Sequence, residues 1–405
     1  MGGVRWIPTL LLITAFQLLS FSQVIFTADG TNMAAALVML VYIAIEWIYS
    51  IMISIVLKKS SPAIEFAAFF LTGISLALMA TGKASYLVTQ FLAVLIGFAV
   101  YLVLLWTLYD VDRTIKLRRF MEIFSIGLLI IGLIFADFHN GAYNWVKIGS
   151  LSFQASEIVK IMFIFVGAAT LEQIQTTKHI TEYAVYAVVC IGLLFLMRDL
   201  GTALIFFFTF VVLGFMRSGD IRTLLFVILG ALMAAVLVVL VKRNYVMNRF
   251  ATYRHIWDDP YGNGMQQTRV LTYSVSGGAL GMGIGDGKLR NIFAALDDLV
   301  FGVVCEEWGL LIGLLVAVLY IFMFIHSVRN VKGSRSAFYS IASCSAGALL
   351  LFQAALNIFG VTDLLPLTGV TLPFVSHGGS STISCWGLLA FIKAADNRTW
   401  AGGKR

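Results

Sequence analysis

The stretch KRNYVMNRFATYRHIWDDPYGNGMQQTRVLTYSVSGGALGMGIGDGKLRNIFAALDD, residues 242–298, decides how the rest of the chain is read. It is the only long polar segment between apolar runs of membrane length, and it passes directly into LVFGVVCEEWGLLIGLLVAVLY. It carries cations at Lys242, Arg243, Arg249, Arg254, Arg269, Lys288 and Arg290, and six glycines between Gly277 and Gly287. Two carboxylates, Asp297 and Asp298, stand where the chain turns apolar again. Cations, free backbone donors and a carboxylate beside a bilayer suit chemistry on an anionic lipid head group.

Composition sets the frame for that segment. A chain of 405 residues, 60% hydrophobic and 12% charged, with a mean hydropathy of +0.92, is not a soluble protein. Four cysteines (Cys190, Cys305, Cys344, Cys385) lie in apolar stretches without CxxC spacing and read as small buried hydrophobes. Five scattered histidines give no HExxH, which argues against a zinc site built by the protein. The net charge of +7 sits between apolar runs and is no sign of nucleic-acid binding.

Apolar runs predict about twelve spans, at 6–27, 34–57, 63–81, 87–109, 120–137, 157–171, 182–197, 200–216, 222–241, 299–327, 337–358 and 379–395. The first is too long for a signal-peptide core and reads as an uncleaved span. Lys58, Lys59, Arg113, Lys116, Arg118, Arg119, Lys178, Arg217, Arg222, Arg329, Lys332 and Arg335 fall in alternate loops. That bias puts both termini in the cytoplasm and the 242–298 loop outside. The expectation is an all-α polytopic membrane protein: N-terminal helices over 1–120, then a core over 121–405 with one large extracellular loop.

Ionisable groups inside apolar runs are costly and point to function. Glu157 and Lys160, in SEIVKI, share a helix face at i and i+3 and can pair or grip one ligand. A helix start capped by Ser156 accounts for Glu157 equally well. Asp199, in RDLGTAL, fits either an ion pair with Arg198 or a helix start facing Thr202. Asp298, partly desolvated at the boundary, suits a general base for a sugar hydroxyl, or else an N-cap; Asp297 is its rival. Glu306 lies about 80° around a helix and about 12 Å deeper than Asp298, with Glu307 on the opposite side, which suits helix packing or a polar cavity. The run SGGALGMGIGDG offers either an anion nest or a flexible turn and matches no nucleotide fingerprint. Asp363, among the hydroxyls and prolines of NIFGVTDLLPLTGVTLPFVSHGGSST, has no evident physical reason in the sequence.

Taken together these segments resemble the SEDS family (shape, elongation, division, sporulation; the FtsW/RodA/SpoVE group). LPLTGVTLPFVSHGGSS, 365–381, is similar to the family's LPxTGxxLPFxSxGGSS. GAYNWVKIG with FQASEIVK, DLGTA at 199–203, and SGGALGMG with DDLVFGVVCEEWG follow in the family's order. The resemblance covers 141–395 and implies a core of ten spans, so that two of the twelve form an additional N-terminal pair. It further implies a peptidoglycan glycosyltransferase of the bacterial cytoplasmic membrane. Such an enzyme polymerises lipid II, an undecaprenyl-diphosphate disaccharide-peptide, alongside a class B penicillin-binding protein, a transpeptidase.

Carried over by motif, the family's essential aspartate falls on Asp298. Its substrate-binding positions fall on Glu157, Lys160, Asp199 and Gln266, with Arg249 and the motif serines Ser380 and Ser381 as further candidates. A divalent cation, magnesium or manganese, is a possible companion of the diphosphate. The sequence departs from the family at Asn144, Ala155, Met197-Arg198 and Leu296-Asp297, which marks a divergent member. Two other readings stand beside the enzyme. One is a lipid II flippase whose passage is lined by Glu46, Glu157, Glu306 and Asp363; the other is an inactive scaffold for a transpeptidase.

Overall fold

The structure, a computed structural model, describes residues 6–396 apart from 28–29, 57–60, 83, 140–141, 149–150, 173–176, 220–221, 223–224, 226–252, 263 and 332. The expected span at 222–241, apart from Arg222 and Leu225, and the cations Lys242, Arg243 and Arg249 therefore lie outside the described residues, as do Lys58, Lys59 and Lys332.

Long apolar runs become helices because, without water, only a helix satisfies every backbone group within one segment. The first pair is α1 (Ile7–Ile25) and α2 (Met33–Val56), joined by the short antiparallel strands β1 (Phe26–Thr27) and β2 (Gly30–Thr31). Next come α3 (Ala63–Ala80), α4 (Ala84–Thr107) and α5 (Val111–Phe135). Asp110 caps α5 by accepting the Asp112 amide, which starts that helix nine residues before its apolar run begins. The segment between the fifth and sixth runs, expected as a plain loop, folds into an antiparallel sheet in the order β3 (Ala136–His139), β4 (Ala142–Ile148), β5 (Leu151–Gln154). Helices α6 (Ala155–Glu172), α7 (Thr177–Leu196) and α8 (Leu200–Ser218) follow.

Within the described part of the polar loop lie α9 (Met265–Ser276) and a 3-10 turn at Leu289–Asn291. The chain closes with α10 (Val300–Glu307), α11 (Leu310–Val331), α12 (Ala337–Val361) and α13 (Gly379–Ala394). Seven of these helices (α1, α2, α3, α4, α8, α11 and α12) are long and apolar enough to cross a membrane. The protein is an all-α polytopic membrane protein, with its small sheets confined to the connections.

One expected span is corrected. Residues 299–327 do not form a single helix: α10 ends at Glu307 and α11 begins at Leu310. Gly309 sits between them at φ +87, where a Cβ would collide with the Ala279 carbonyl oxygen. The freed amides of Leu310 and Leu311 donate instead to the carbonyls of Gly278 (2.9 Å) and Ala279 (3.3 Å) in the glycine turn. Both halves are apolar, so hydropathy ran through a break that only the left-handed glycine marks.

Helix α3 occupies the middle of the bundle, with almost every residue buried. Phe69 on α3, Phe98 and Tyr101 on α4, and Trp386 on α13 form an aromatic core, Trp386 lying 5.2 Å, 5.4 Å and 5.9 Å from the other three ring centres. At one end of this core Lys393 Nζ meets Glu65 Oε1 at 2.8 Å, and the same oxygen accepts Tyr49 (2.7 Å) and Tyr101 (3.0 Å) hydroxyls. The opposite end gathers β5, the polar loop and the connection between α12 and α13, and it is there that the motif residues meet. All four cysteines are free and buried, as their apolar settings predict.

Candidate active site

Asp298 ends the polar loop just before α10. The Ala294 carbonyl collects the amides of Asp297 (3.1 Å), Asp298 (3.1 Å) and Leu299 (3.3 Å), a tight turn made possible by Ala294 at φ +59. A non-glycine residue in that conformation is strained, and such strain collects at functional sites. From the other side Asn357 of α12 donates Nδ2 to the backbone oxygens of Asp298 (2.8 Å) and Val370 (2.7 Å). The side chain of Asp298 is half-buried, and its Oδ2 lies 3.4 Å from where a Cβ on Gly369 would stand. Asp298 is not the N-cap of α10: Leu299 occupies that position, and no side chain caps it.

The neighbouring carboxylate is engaged elsewhere. Asp297 Oδ1 meets His377 Nδ1 at 3.2 Å, the His377 amide donates to Leu296 O at 2.8 Å, and Ser376 Oγ donates to the Asp297 carbonyl. The histidine ring also packs on Tyr86, with centroids 5.1 Å apart. Asp297 thus ties the VSHGG segment to the loop, whereas Asp298 faces the segment before it. The two rival aspartates therefore have different neighbours.

One helical turn below Asn357, at i−4, Gln353 continues a polar seam into the bundle. Its Nε2 donates to Thr371 O (2.9 Å) and Oγ1 (3.1 Å), and its Oε1 accepts from Lys160 Nζ at 2.9 Å. Lys160, only 1% exposed, pairs with Glu157 at 2.7 Å, as the i and i+3 spacing predicts. Ser156 does not provide the cap that the alternative reading required: its hydroxyl has no hydrogen-bond partner. A buried ammonium with one carboxylate and one amide around it avoids the full cost of a lone charge in hydrocarbon. Ser381 joins the seam through Thr371, at 2.7 Å between hydroxyls, and Ser380 Oγ accepts the Gln154 amide at 3.2 Å.

Asp199 stands beside the seam rather than in it. Its Oδ1 caps α8 by accepting the Thr202 amide at 3.1 Å, which is the helix-start reading. Its Oδ2 accepts from Gln154 (3.0 Å) on β5 and Asn144 (3.1 Å) on β4. Asn144 is a neutral donor to that acid. Gln266 lies on α9 and donates to the Phe293 carbonyl at 3.1 Å, bracing the turn that leads to Asp298. Arg254 and Arg269 are exposed on the loop. Asp363 gains a reason: Oδ1 accepts the Arg254 amide at 3.4 Å, beside a Tyr253 to Leu364 bond of 2.9 Å, so it anchors the loop's start to the end of α12.

The anion-nest reading of the glycine run resolves in a different way. Glu306 takes the amides of Lys288 (2.8 Å) and Leu289 (2.9 Å) on its two oxygens, and Glu307 Oε2 takes that of Gly285 (3.1 Å). Within the run further amides are also taken by the chain itself, Ile284 by Gln23 Oε1 and Met282 and Gly283 by the carbonyls of Glu306 and Glu307. Burial pushes Glu307 up to about 7, against which the Gly285 amide and Arg290 pull it down. The four acids of the flippase reading each have a partner of their own. Glu46 is bonded to Gln17 (2.7 Å), Glu157 to Lys160, Glu306 to the loop and Asp363 to Arg254. Among the described residues no three histidine, cysteine or acidic side chains converge as a metal site.

Gln353, Asn357, Thr371, His377 and Gln154 were missed by motif reading. The one signal for the first two was available: two amides at i and i+4 in an otherwise apolar run share a face.

The family model of FtsW, RodA and SpoVE, described as Cell cycle protein, matches residues 64–399. The chain belongs to this family. The match begins after α1 and α2, so the N-terminal pair precedes it. A relative from Wigglesworthia glossinidia brevipalpis named "Probable peptidoglycan glycosyltransferase FtsW" is 28% identical over 296 residues, covering 71% of this chain and 77% of its own. "Stage V sporulation protein E" of Bacillus subtilis (strain 168) is 29% identical over 285 residues, covering 68% and 76%. Among solved structures, the Rod shape determining protein RodA of Thermus thermophilus superposes with a TM-score of 0.62 at 24% identity, over 83% of this chain and 96% of that one. A chain from a peptidoglycan synthase complex gives 0.71 at 23% identity, over 84% and 98%. These solved structures establish the shared fold.

Proposed function

We propose that this SEDS protein is a peptidoglycan glycosyltransferase that polymerises lipid II, with Asp298 as its general base. The observation that carries the reading is the placement of Asp298, half-buried and held through its backbone by Ala294 and Asn357, at the mouth of a seam that ends on Lys160.

The Asp298 carboxylate takes the proton of the 4-hydroxyl of the N-acetylglucosamine of one lipid II. That oxygen forms a bond to the anomeric carbon of the N-acetylmuramic acid at the growing end. The bond from that carbon to the diphosphate oxygen breaks with inversion, and undecaprenyl diphosphate leaves with the electron pair. Lys160 at the inner end of the seam, with Arg249, Arg254 and Arg269 of the loop, supplies positive charge against the leaving diphosphate. Glu157 sets the position of Lys160, while Asp199, Gln266, Ser380 and Ser381 shape the surrounding wall. A divalent cation would arrive with the diphosphate, since magnesium is held by substrate phosphates and one or two carboxylates. No step of the proposal depends on it.

The loop end faces the outside of a bacterial cytoplasmic membrane, with both termini in the cytoplasm, which the lysines and arginines of the alternate loops support. A class B penicillin-binding protein, crosslinking the strands as they emerge, is the proposed partner. Purified protein given lipid II makes glycan strands, and Asp298→Ala abolishes them without lowering the melting temperature, while Asp297→Asn retains them. Strand synthesis by the Asp298→Ala protein removes the base from this scheme.

A further inference from the structure

Helices α1 and α2 precede the family match, yet α1 does not merely lie beside the core. Ser20 of α1, 4% exposed, accepts the Trp308 indole N–H at 3.1 Å, and Trp308 is itself 8% exposed. Trp308 follows Glu306 and Glu307, the two acids that hold the amides of Gly285, Lys288 and Leu289. One turn further along α1, Gln23 Oε1 accepts the Ile284 amide at 3.0 Å, inside that same glycine segment. The helix is in turn locked to its neighbours. Gln17 donates to Glu46 of α2 at 2.7 Å, and Trp47 donates to Thr14 at 3.1 Å. Asn32, at the start of α2, donates to the Ala80 carbonyl ending α3 at 3.3 Å.

The segment so held runs on through Asn291 and Ala294 to Asp298, and α10 returns from Asp298 to the same pair of acids. Residues 285–307 thus form a closed loop with Asp298 inside it, pinned at its closure by the two glutamates and by α1. We infer that the N-terminal helix is an intramolecular brace, with Ser20 and Gln23 acting as positioning residues for the catalytic loop. The inference rests on the assignment of Asp298 as base, because positioning has a kinetic consequence only if that loop carries the reacting group.

The test uses the full-length protein with Ser20→Ala and Gln23→Leu, singly and together, against Ser20→Thr and Gln23→Glu, which keep an oxygen acceptor. The double removal is expected to speed amide hydrogen exchange across residues 282–291 and to lower kcat on lipid II, each on the order of tenfold, with KM within about twofold. The acceptor-keeping variants stay near wild type in both. Gln23→Leu, at an exposed position, guards against a folding defect and is expected to show a smaller change of the same kind. Unchanged exchange in the double variant overturns the brace. Faster exchange with unchanged kcat overturns its role in catalysis, and so does equal loss in Ser20→Thr and Gln23→Glu. If Asp298→Ala still polymerises, the base assignment fails, while the exchange measurement still judges the contact between α1 and the loop.

Discussion

Glu307→Gln isolates the cost of holding a carboxylate inside the loop's closure. Glu307 is 2% exposed; Oε2 has the Gly285 amide, and Oε1 has no hydrogen-bond partner. Its affinity for a proton rises from the ordinary 4.5 to about 7, chiefly through desolvation. The folded state therefore binds the proton more tightly than the unfolded chain does. The contribution to stability is fully present below pH 4.5, falls as the unfolded chain ionises first, and levels off above pH 7. A shift of that size corresponds to on the order of 3 kcal/mol across the window. Glutamine keeps an acceptor for Gly285 and carries no charge, so its stability should lack this fall. Urea melts of the solubilised protein and the variant between pH 4.5 and 8 read the difference, because titrating groups away from Glu307 and its charged neighbours Arg290, Glu306 and Asp286 cancel. Parallel curves for the two proteins refute the reasoning, and a wild type that gains stability relative to the variant between pH 4.5 and 7 refutes its sign.

Lys160→Met strands Glu157 as a buried, unpaired carboxylate and should cost about 3–5 kcal/mol in denaturant melts. Adding Glu157→Gln should recover most of that stability without restoring strand synthesis, which separates the fold's need for the pair from the reaction's need for the cation. Asn357→Leu leaves the Asp298 and Val370 carbonyls without their amide donor, at about 1–3 kcal/mol each. Lipid II turnover should fall in kcat more than in KM, and an unchanged kcat would show that Asp298 needs no such support.

How much of this was legible beforehand depends on the range of each interaction. The spans follow from length and hydropathy, and the Glu157–Lys160 pair follows from helical spacing, because both are local. Only a motif singles out Asp298 over Asp297 in the sequence; the contact that distinguishes their surroundings, Asp297 with His377, spans eighty residues of chain. The break at Gly309 is silent in hydropathy, since both sides are apolar and the contacts that fix it lie near residue 279. Asp363 had no account until Arg254 was placed beside it. The glycine run shows its donors but not that side-chain and backbone oxygens of Glu306 and Glu307, further along the chain, take those of Met282, Gly283 and Gly285. Arg249 lies outside the described residues, so its part rests on sequence alone.

Gln353 and Asn357 stand four residues apart on one rigid helix, so the rise between them is about 6 Å whatever the surrounding connections do. One amide grips the lysine and the other the backbone of the aspartate. Helix α12 therefore works as a ruler, and any rocking of that rod would carry both chemical ends in step. A lipid-linked sugar laid along it would find its head and its diphosphate gauged by helical pitch.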